Sequence, residues 1–253
     1  MESHSTHYAT QSYMNDLIYY CQSSVTMMKG NKPICVMDTD TLLFSFKLDC
    51  PPNRVIDRLD RQFDLFFPHK VKEEYENKVR QGVLGDYDDF IPDINLFLKR
   101  KSSQKRLVEE RKYSHCLKYL QRFFNLMGMQ ERYNKLGDGE KHCVALGLFM
   151  SRIRKDCVIV ATDDFGAREA GIDLFVCKQF IGMVRPLLGA MVFVYCVSTD
   201  IPEWRMRTLV KEYFDLNPPT HVGMRNFKEK ILKEIELCCR RQNYDECKLS
   251  CLA

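Results

Sequence analysis

The chain has 253 residues, of which 45% are hydrophobic and 28% charged. This composition is typical of a folded globular protein and excludes an intrinsically disordered chain. The length fits one sizeable domain with additional elements, and the net charge of +4 is too small to indicate a polyanionic partner by itself. The longest apolar run, near Leu187–Val197, is shorter than the roughly 20 residues that a membrane-spanning helix needs, so we expect no membrane segment.

The amino-terminal sequence and the cysteines indicate an intracellular protein. Residues 1–7 lack a basic start followed by an apolar run, so no secretory signal is predicted. Most cysteines stand singly in apolar segments, as Cys35 and Cys157 do, which is typical of small buried hydrophobic residues in a reducing compartment. The cysteines between residues 238 and 251 lack the paired close spacing of a zinc site. We therefore expect free cysteines and a cytoplasmic location.

The patterning divides the chain into three parts. Residues 1–30 are polar and aromatic without a strong period, and we interpret them as an N-terminal extension. Residues 31–200 alternate strand-like runs with helical periods, which predicts a three-layer α/β/α domain with a central, mostly parallel sheet. Residues 201–253 hold two amphipathic helices, around Trp204–Leu216 and Asn226–Arg241. This helical C-terminal tail either covers an edge of the core or forms a homo-oligomer.

Three apolar runs in the domain predict buried strands: Pro33–Met37, Phe63–Phe67 and Cys157–Ala161. The second is followed by a helical spacing of Val71, Tyr75 and Val79, which predicts a helix.

The remaining elements are predicted around and between these strands. Leu107–Met127 has the pattern of one long helix, within a helical insert at about residues 85–130. After the third strand we expect a short helix around Phe165–Ala170, a strand at Leu174–Val176 and a helix from Gln179.

Acidic residues follow the predicted strands or open a helix. They are Asp38 and Asp40 after the first strand, Glu73 and Glu74 after the second, Asp138 and Glu140 at a helix start, and Asp163 and Asp164 after the third strand. Because the carboxyl ends of parallel strands meet at one edge of a sheet, we expect these carboxylates to converge. Like charges held together raise each other's pKa unless cations neutralise them, and oxygen ligands suit Mg²⁺ or Mn²⁺. The sequence thus predicts a divalent-metal site.

The sequence favours a functional role for some of these acidic residues more than for others. Asp38 is the leading candidate because a carboxylate directly after a buried run is costly without a partner, although it could also only cap a turn. Glu140 shares a helical face with the apolar Val144, which favours it as a ligand. Asp138 has an alternative structural role as the N-cap of the helix.

The other acidic segments each contain a preferred residue. Glu74 lies beside the face of Val71, whereas Glu73 points outward. Asp163 is slightly preferred to Asp164 as a direct ligand. We thus expect Asp38, Glu74, Glu140 and Asp163 to be catalytic, Asp38, Glu140, Asp163 and Asp164 to hold metal, and Thr39, Asp40 and Asp138 to support them.

The acidic segments, taken in order, resemble the four motifs of the PIN-domain nuclease family. Val36–Leu43 looks like the family's opening, Pro68–Glu74 its second motif, Gly137–Glu140 its third, and Thr162–Asp164 its fourth. The resemblance implies a PIN-like fold and a metal-dependent endonuclease, with RNA favoured over DNA as substrate. The stretch between Glu74 and Gly137 is longer than in the compact toxin-type members, which puts a toxin role in doubt.

Basic residues concentrate within the predicted insert. They are Lys99, Arg100, Lys101, Lys105 and Arg106. Such a cluster could contact the phosphates of a nucleic acid, or it could be a solvated helix face.

Two other functions fit parts of the same pattern. Asp38 and Asp40 also resemble the nucleophile and general acid of haloacid-dehalogenase phosphatases, with Val158–Asp164 as the later acidic motif. That family also needs an intervening apolar run ending in Ser or Thr, which we do not find. The second alternative is a PIN fold without catalysis that binds RNA, although all four acidic segments are present.

Overall fold

The computed structural model of the protein describes residues 32–164, 166, 171–198, 200–218 and 222–239. The predicted N-terminal extension therefore lies outside the described residues, and so does nearly all of the short helix expected at 165–170.

The described chain alternates strands and helices. The strands are β1 (Ile34–Met37), β2 (Asp49–Cys50), β3 (Asn53–Arg54), β4 (Asp64–Pro68), β5 (Leu107–Val108), β6 (Val158–Ala161) and β7 (Gly182–Arg185). The helices are α1 (Thr39–Lys47), α2 (Val55–Gln62), α3 (His69–Gln81), α4 (Ile91–Lys99), α5 (Lys101–Arg106), α6 (Ser114–Leu126), α7 (Gln130–Lys135), α8 (Asp138–Arg154), α9 (Asp173–Lys178), α10 (Leu187–Val197), α11 (Glu203–Leu216) and α12 (Val222–Cys239), with 3-10 turns at Gly85–Phe90 and Glu110–Lys112.

Five strands form a parallel sheet in the order β5-β4-β1-β6-β7. The central strand β1 pairs with both neighbours, so that Ile34 stands opposite Asp64 on one side and Val158 on the other. The chain extends the sheet in one direction through β4 and β5, and then crosses β1 to add β6 and β7. Connections that diverge in this way leave a crevice outside the carboxyl ends of β1 and β6.

Helices cover both faces of the sheet. On one face α8 packs on β6, β1 and β4, with α6 outside it. On the other face α10 contacts β6 and β7 and is itself covered by α2 and α12. Helix α10 is apolar on all sides, as expected of a helix buried between two layers. The predicted α/β fold with a parallel sheet between helices is therefore confirmed.

Two of the sequence-based assignments are wrong. The long helix expected from Leu107 begins only at Ser114, because Leu107 and Val108 pair with the carboxyl end of β4 as an edge strand. This strand is too short to show a period of its own. The region 85–130 thus contributes a strand to the sheet and is more than an inserted helical arm.

The second wrong assignment exchanges a helix and a strand near the end of the sheet. Leu174–Val176 lies within α9, and the strand is β7, where a helix from Gln179 was expected. A short apolar run does not distinguish a helix from a strand by periodicity. Gly182 explains why β7 forms where it does: a Cβ there would overlap the backbone of Val158, so only glycine allows the two strands to approach.

The two predicted C-terminal helices are confirmed as α11 and α12, and both are joined to the core. Helix α12 packs against α10 and α11, with Ile231 and Ile235 fully buried. Arg205 of α11 donates to the carbonyl of Asp49, and Arg58 of α2 pairs with Asp200. The apolar faces of the helices are used within the chain, and the structure offers no support for self-association through them.

Two further expectations concern cysteines and membranes. Cys35, Cys50, Cys116 and Cys143 are free, as predicted, but Cys196 takes part in a disulfide bond, which corrects the expectation of free cysteines throughout. No helix in the described part of the chain has the length and apolarity to cross a membrane.

The contact between α8 and β6 depends on a glycine. A Cβ on Gly147 would stand 2.9 Å from Cγ2 of Val160, on the buried strand β6. We predict that Gly147→Ala lowers the free energy of unfolding, because overpacking costs about 1–3 kcal/mol while the gain in helix propensity is at most about 1 kcal/mol. Urea denaturation measures the change. Ile153→Ala, at an exposed position of the same helix, is the control and should stay within about 0.5 kcal/mol of wild type.

Candidate functional site

Asp38 lies at the carboxyl end of β1, in the crevice beside β6. Its backbone N–H donates to the carbonyl of Ala161 (3.1 Å), which continues the pairing of the two strands. Its carboxylate accepts a hydrogen bond from the backbone N–H of Thr41 (2.8 Å) and so caps helix α1. The side chain is only 3% exposed. The capping role considered from the sequence is therefore present, in a residue that is also buried at the strand end.

Asp163, at the end of β6, accepts hydrogen bonds from three different elements. The hydroxyl of Thr41 donates to Oδ2 (2.8 Å) and the hydroxyl of Tyr213 to Oδ1 (2.6 Å). The backbone N–H of Leu187 lies 3.1 Å from Oδ1 and 3.3 Å from Oδ2. Both oxygens are thus engaged by protein donors, which favours a positioning role for Asp163 over direct metal binding.

Burial destabilises the charged form of both aspartates, and Asp163 adds to this effect at Asp38. Burial and the nearby Asp163 raise the pKa of Asp38 to about 8, although hydrogen bonds from Thr162 and Thr41 oppose the shift. Burial also raises the pKa of Asp163, and the hydrogen bonds from Tyr213, Thr41 and Leu187 lower it in part. Neither carboxylate forms an ion pair within the described part of the chain. Positive charge placed beside Asp38 would therefore stabilise its ionised form.

Glu140, in the first turn of α8, carries an oxygen without a partner. Its Oε2 is buried and accepts no hydrogen bond from the residues that the structure describes. Burial raises the pKa of Glu140, and the negative charges of Asp164, Glu74 and Asp40 raise it further. A buried carboxylate oxygen that lacks a donor is costly. No donor among the described residues offsets this cost.

Two glycines lack the Cβ atom that would otherwise fill the positions taken by the carboxylates of two glutamates. A Cβ on Gly137 would overlap Oε2 of Glu140, and a Cβ on Gly139 would stand 2.8 Å from Oε2 of Glu74. Glu74 in turn accepts a hydrogen bond from the hydroxyl of Thr39 (2.7 Å). The Gly-Asp-Gly-Glu sequence thus brings two carboxylates against the start of α8, which explains in physical terms why small residues alternate with acids there.

The remaining acidic residues of the group are more exposed. Asp40 pairs with Lys78 (2.6 Å), and Asp138 lies within 4.0 Å of Lys70 and within 3.6 Å of Lys141. Asp138 is the first residue of α8, and the N-cap is Gly137, so the N-cap alternative for Asp138 is wrong.

Asp164 and Glu73 are also exposed, but in different surroundings. The backbone N–H of Asp164 donates to the hydroxyl of Thr162, and the negative charge of Asp164 raises the pKa of Glu140. Asp164 thus belongs to the group on the solvent side. Glu73 points outward, as expected, towards His69 and Lys70.

One observation opposes a divalent-ion site in this crevice, and another is compatible with it. In the part of the chain that the structure describes, no three acidic, histidine or cysteine side chains stand close enough to hold an ion by themselves. However, Mg²⁺ is commonly bound through one or two carboxylates, with water and substrate phosphates as its other ligands. The unpartnered oxygen of Glu140 suits such an open site.

The structure does not bring the basic cluster of the insert to the carboxylates. Lys99, Arg100, Lys101 and Lys105 are exposed, whereas Arg106 pairs with Asp60. The carbonyl of Asp60 accepts a hydrogen bond from Lys32, just before β1, whereas Asp38 follows that strand. Arg106 directly precedes β5, two strands from β1 in the sheet, and its guanidinium pairs with Asp60 of α2 instead of a carboxylate of the crevice.

Sequence reasoning missed two residues that hold the crevice together. Thr41 is in the first turn of α1, and its position three residues after the capping Asp38 was a usable signal. Tyr213 lies 50 residues beyond Asp163 in α11 and had no local signal.

Comparison with known proteins adds no relationship: no family model, curated protein or solved structure matches this chain.

The raised pKa of Asp38 leads to a prediction about pH and stability. In the folded protein Asp38 keeps its proton up to about pH 8, whereas in the unfolded chain it ionises near its ordinary pKa of 3.8. Unfolding therefore releases a proton within this window, so the contribution of Asp38 to stability falls as the pH rises, by up to about 1.4 kcal/mol per pH unit. Asp38→Asn keeps the cap and removes the charge. We expect the metal-free variant to become more stable relative to wild type as the pH rises through this window.

Urea denaturation at several pH values, with EDTA present, measures this difference. Asp38→Ala is the matched variant: it should show the same pH trend, but with about 1 kcal/mol less stability at every pH because the cap is lost. A constant difference between wild type and Asp38→Asn across the window contradicts the prediction.

Proposed function

We propose that this chain is a PIN-like, divalent-metal-dependent endonuclease that hydrolyses phosphodiester bonds, with RNA as its substrate. The observation that carries the proposal is the buried, unpartnered Oε2 of Glu140, in a crevice that it shares with other carboxylates. Charge of this kind at the carboxyl edge of a parallel sheet is offset by a cation. The order of the acidic segments, which resembles the PIN motifs, supports the choice of reaction.

The residues of the crevice have distinct proposed roles. Asp38, Glu140 and Asp164 would hold the ions, because Asp38 is buried, Glu140 keeps a buried oxygen without a hydrogen-bond donor, and Asp164 lies on the open side. Asp163 would act mainly by positioning, through its bonds to Thr41 and Tyr213. In this scheme Glu74, held by Thr39, is oriented towards Gly139 at the start of α8.

Bound Mg²⁺ or Mn²⁺ supplies activation of a water nucleophile and stabilisation of charge on the leaving oxygen of the phosphodiester. The protein supplies the position of the carboxylates. Lys78, Lys70 and Lys141 flank the acidic group, where they pair with Asp40 and Asp138. These lysines limit the repulsion that a polyanionic substrate would meet at the rim of the crevice.

The proposal is tested by removing one ligand charge at a time. We expect Asp38→Asn and Glu140→Gln each to lower cleavage of a labelled single-stranded RNA by at least about 100-fold and to weaken Mn²⁺ binding, measured by calorimetry, because each removes a charge that holds the ion. Glu73→Gln is the control: it neutralises an outward glutamate next to Glu74 and should leave both readouts unchanged.

Two outcomes would replace the proposal. Hydrolysis of phosphomonoesters without nuclease activity, abolished by Asp40→Asn, would indicate the phosphatase alternative. Metal-independent RNA binding without any cleavage would indicate an RNA-binding module.

A further prediction concerns the positioning of Asp163. Tyr213→Phe keeps the ring and removes the hydroxyl that donates to Asp163, a bond that lowers the pKa of this aspartate. We expect the acidic limb of the pH profile of kcat to move to higher pH, with a loss of about 1–3 kcal/mol in stability above neutral pH. Tyr113→Phe, which removes a hydroxyl bonded to His142, is the control and should leave the pH profile of kcat in place. An unshifted profile in Tyr213→Phe contradicts the positioning role.

A further inference from the structure

A second polar feature lies between α6 and α8, away from the carboxylates. It is an open groove of about 430 Å³. It is lined by His115, Cys116, Lys118, Tyr119, Arg122, Leu148, Arg152 and Gln179. Lys118, Arg122 and Arg152 are cationic, and none of the described lining residues is acidic.

Among the described residues, no carboxylate balances the positive charges of this groove. Within the described residues Lys118, Arg122 and Arg152 form no ion pair, whereas other cations of α8 do: Lys141 pairs with Asp138 and Arg154 with Asp64. Cations gathered around one concave surface repel each other unless an anion joins them. The groove therefore has the electrostatic character of a phosphate-binding surface.

Aromatic rings stand beside these cations. Tyr119 is 45% exposed and donates to Oε1 of Gln179 (3.0 Å), and Arg152 donates to the backbone carbonyl of Gln179 (3.0 Å). The next residue, Phe180, is 64% exposed and has a φ of 50°, which is costly for a residue other than glycine. The wall of the groove is thus braced by hydrogen bonds. Two aromatic side chains are exposed to solvent here: Tyr119 within the lining, and Phe180 next to the lining residue Gln179.

We propose that this groove binds single-stranded nucleic acid. Lys118, Arg122 and Arg152 contact successive phosphates, and Tyr119 and Phe180 stack against unpaired bases. A cationic groove combined with exposed aromatic rings is suited to single strands, because the bases of a duplex are already stacked and unavailable. The groove is distinct from the cluster formed by Lys99 and its neighbours, which lines no part of it.

The groove and the carboxylate crevice lie on the same helix. Glu140 and Arg152 are twelve residues apart on α8, a separation of about 18 Å along the axis. A few nucleotides of an extended single strand would cover this distance. Binding of a strand in the groove does not depend on the proposed function. The further step, that the bound strand is also the one cleaved, rests on it.

The first test measures binding without metal. Fluorescein-labelled single-stranded RNA of about twenty nucleotides is titrated with wild type and with Lys118→Gln/Arg122→Gln/Arg152→Gln, with EDTA present. We expect at least a tenfold loss of affinity and a shallower dependence of log affinity on log salt, by up to about 0.7 for each of the three contacts. Lys99→Gln/Lys101→Gln/Lys105→Gln removes the same charge elsewhere and should bind as wild type does.

Folding and stacking are controlled by further variants. Lys118→Gln/Arg122→Gln leaves the bond from Arg152 to Gln179 in place and should show about two thirds of the change in salt dependence. Tyr119→Phe should bind like wild type, whereas Tyr119→Leu and Phe180→Leu should each lose at least about fivefold, since stacking contributes about 1–3 kcal/mol per base. Equal affinities for all variants, or a preference for duplex over single strand, would overturn the inference.

The two proposals fail in different ways. Asp38→Asn and Glu140→Gln should retain RNA binding in EDTA, and loss of binding in these variants alone would place the strand in the crevice and overturn the groove. If the groove variants lose binding but no form of the protein cleaves nucleic acid, the groove stands and the nuclease proposal fails.

Discussion

The carboxylate of Asp163 connects the sheet to helices from the early and the late parts of the described chain. It stands at the end of β6 and accepts hydrogen bonds from Thr41 of α1, Leu187 of α10 and Tyr213 of α11. Three separate segments therefore meet on one buried charge, and the helices after residue 200 become part of the same structure as β1. Thr41 also donates its backbone N–H to Asp38, so one residue at the start of α1 contacts both buried aspartates.

Concentrating carboxylates at this edge has an energetic cost that the protein alone does not remove. Asp38 and Asp163 are buried without an ion pair in the described chain, and Glu140 keeps an unpartnered oxygen. Sites that bind cations commonly accept such a cost in the ligand-free state, and a bound ion then returns stability in proportion to its affinity. The buried sheet and the apolar helix α10 supply the stability that tolerates it.

The charge of the molecule is divided between regions. Acidic residues occupy the carboxyl edge of the sheet, while the groove between α6 and α8 is cationic and lies further along α8. The modest net charge of +4 conceals this division. An extended polyanion bound across such a surface would gain affinity from the groove and meet the carboxylates only where cations neutralise them.

The sequence by itself determined the central elements: the strands ending at Met37 and Ala161, the helices from His69 and Asp138, and the acids that follow them. Local periodicity and buried apolar runs carry that information. Only the tertiary structure decided that Leu107–Val108 is an edge strand and that β7, not Leu174–Val176, completes the sheet, because the neighbouring strand and the absent side chain of Gly182 select these pairings. The same holds for the bond from Tyr213 to Asp163 and for the pairing of Arg106 with Asp60, because contacts across tens of residues leave no trace in a local pattern.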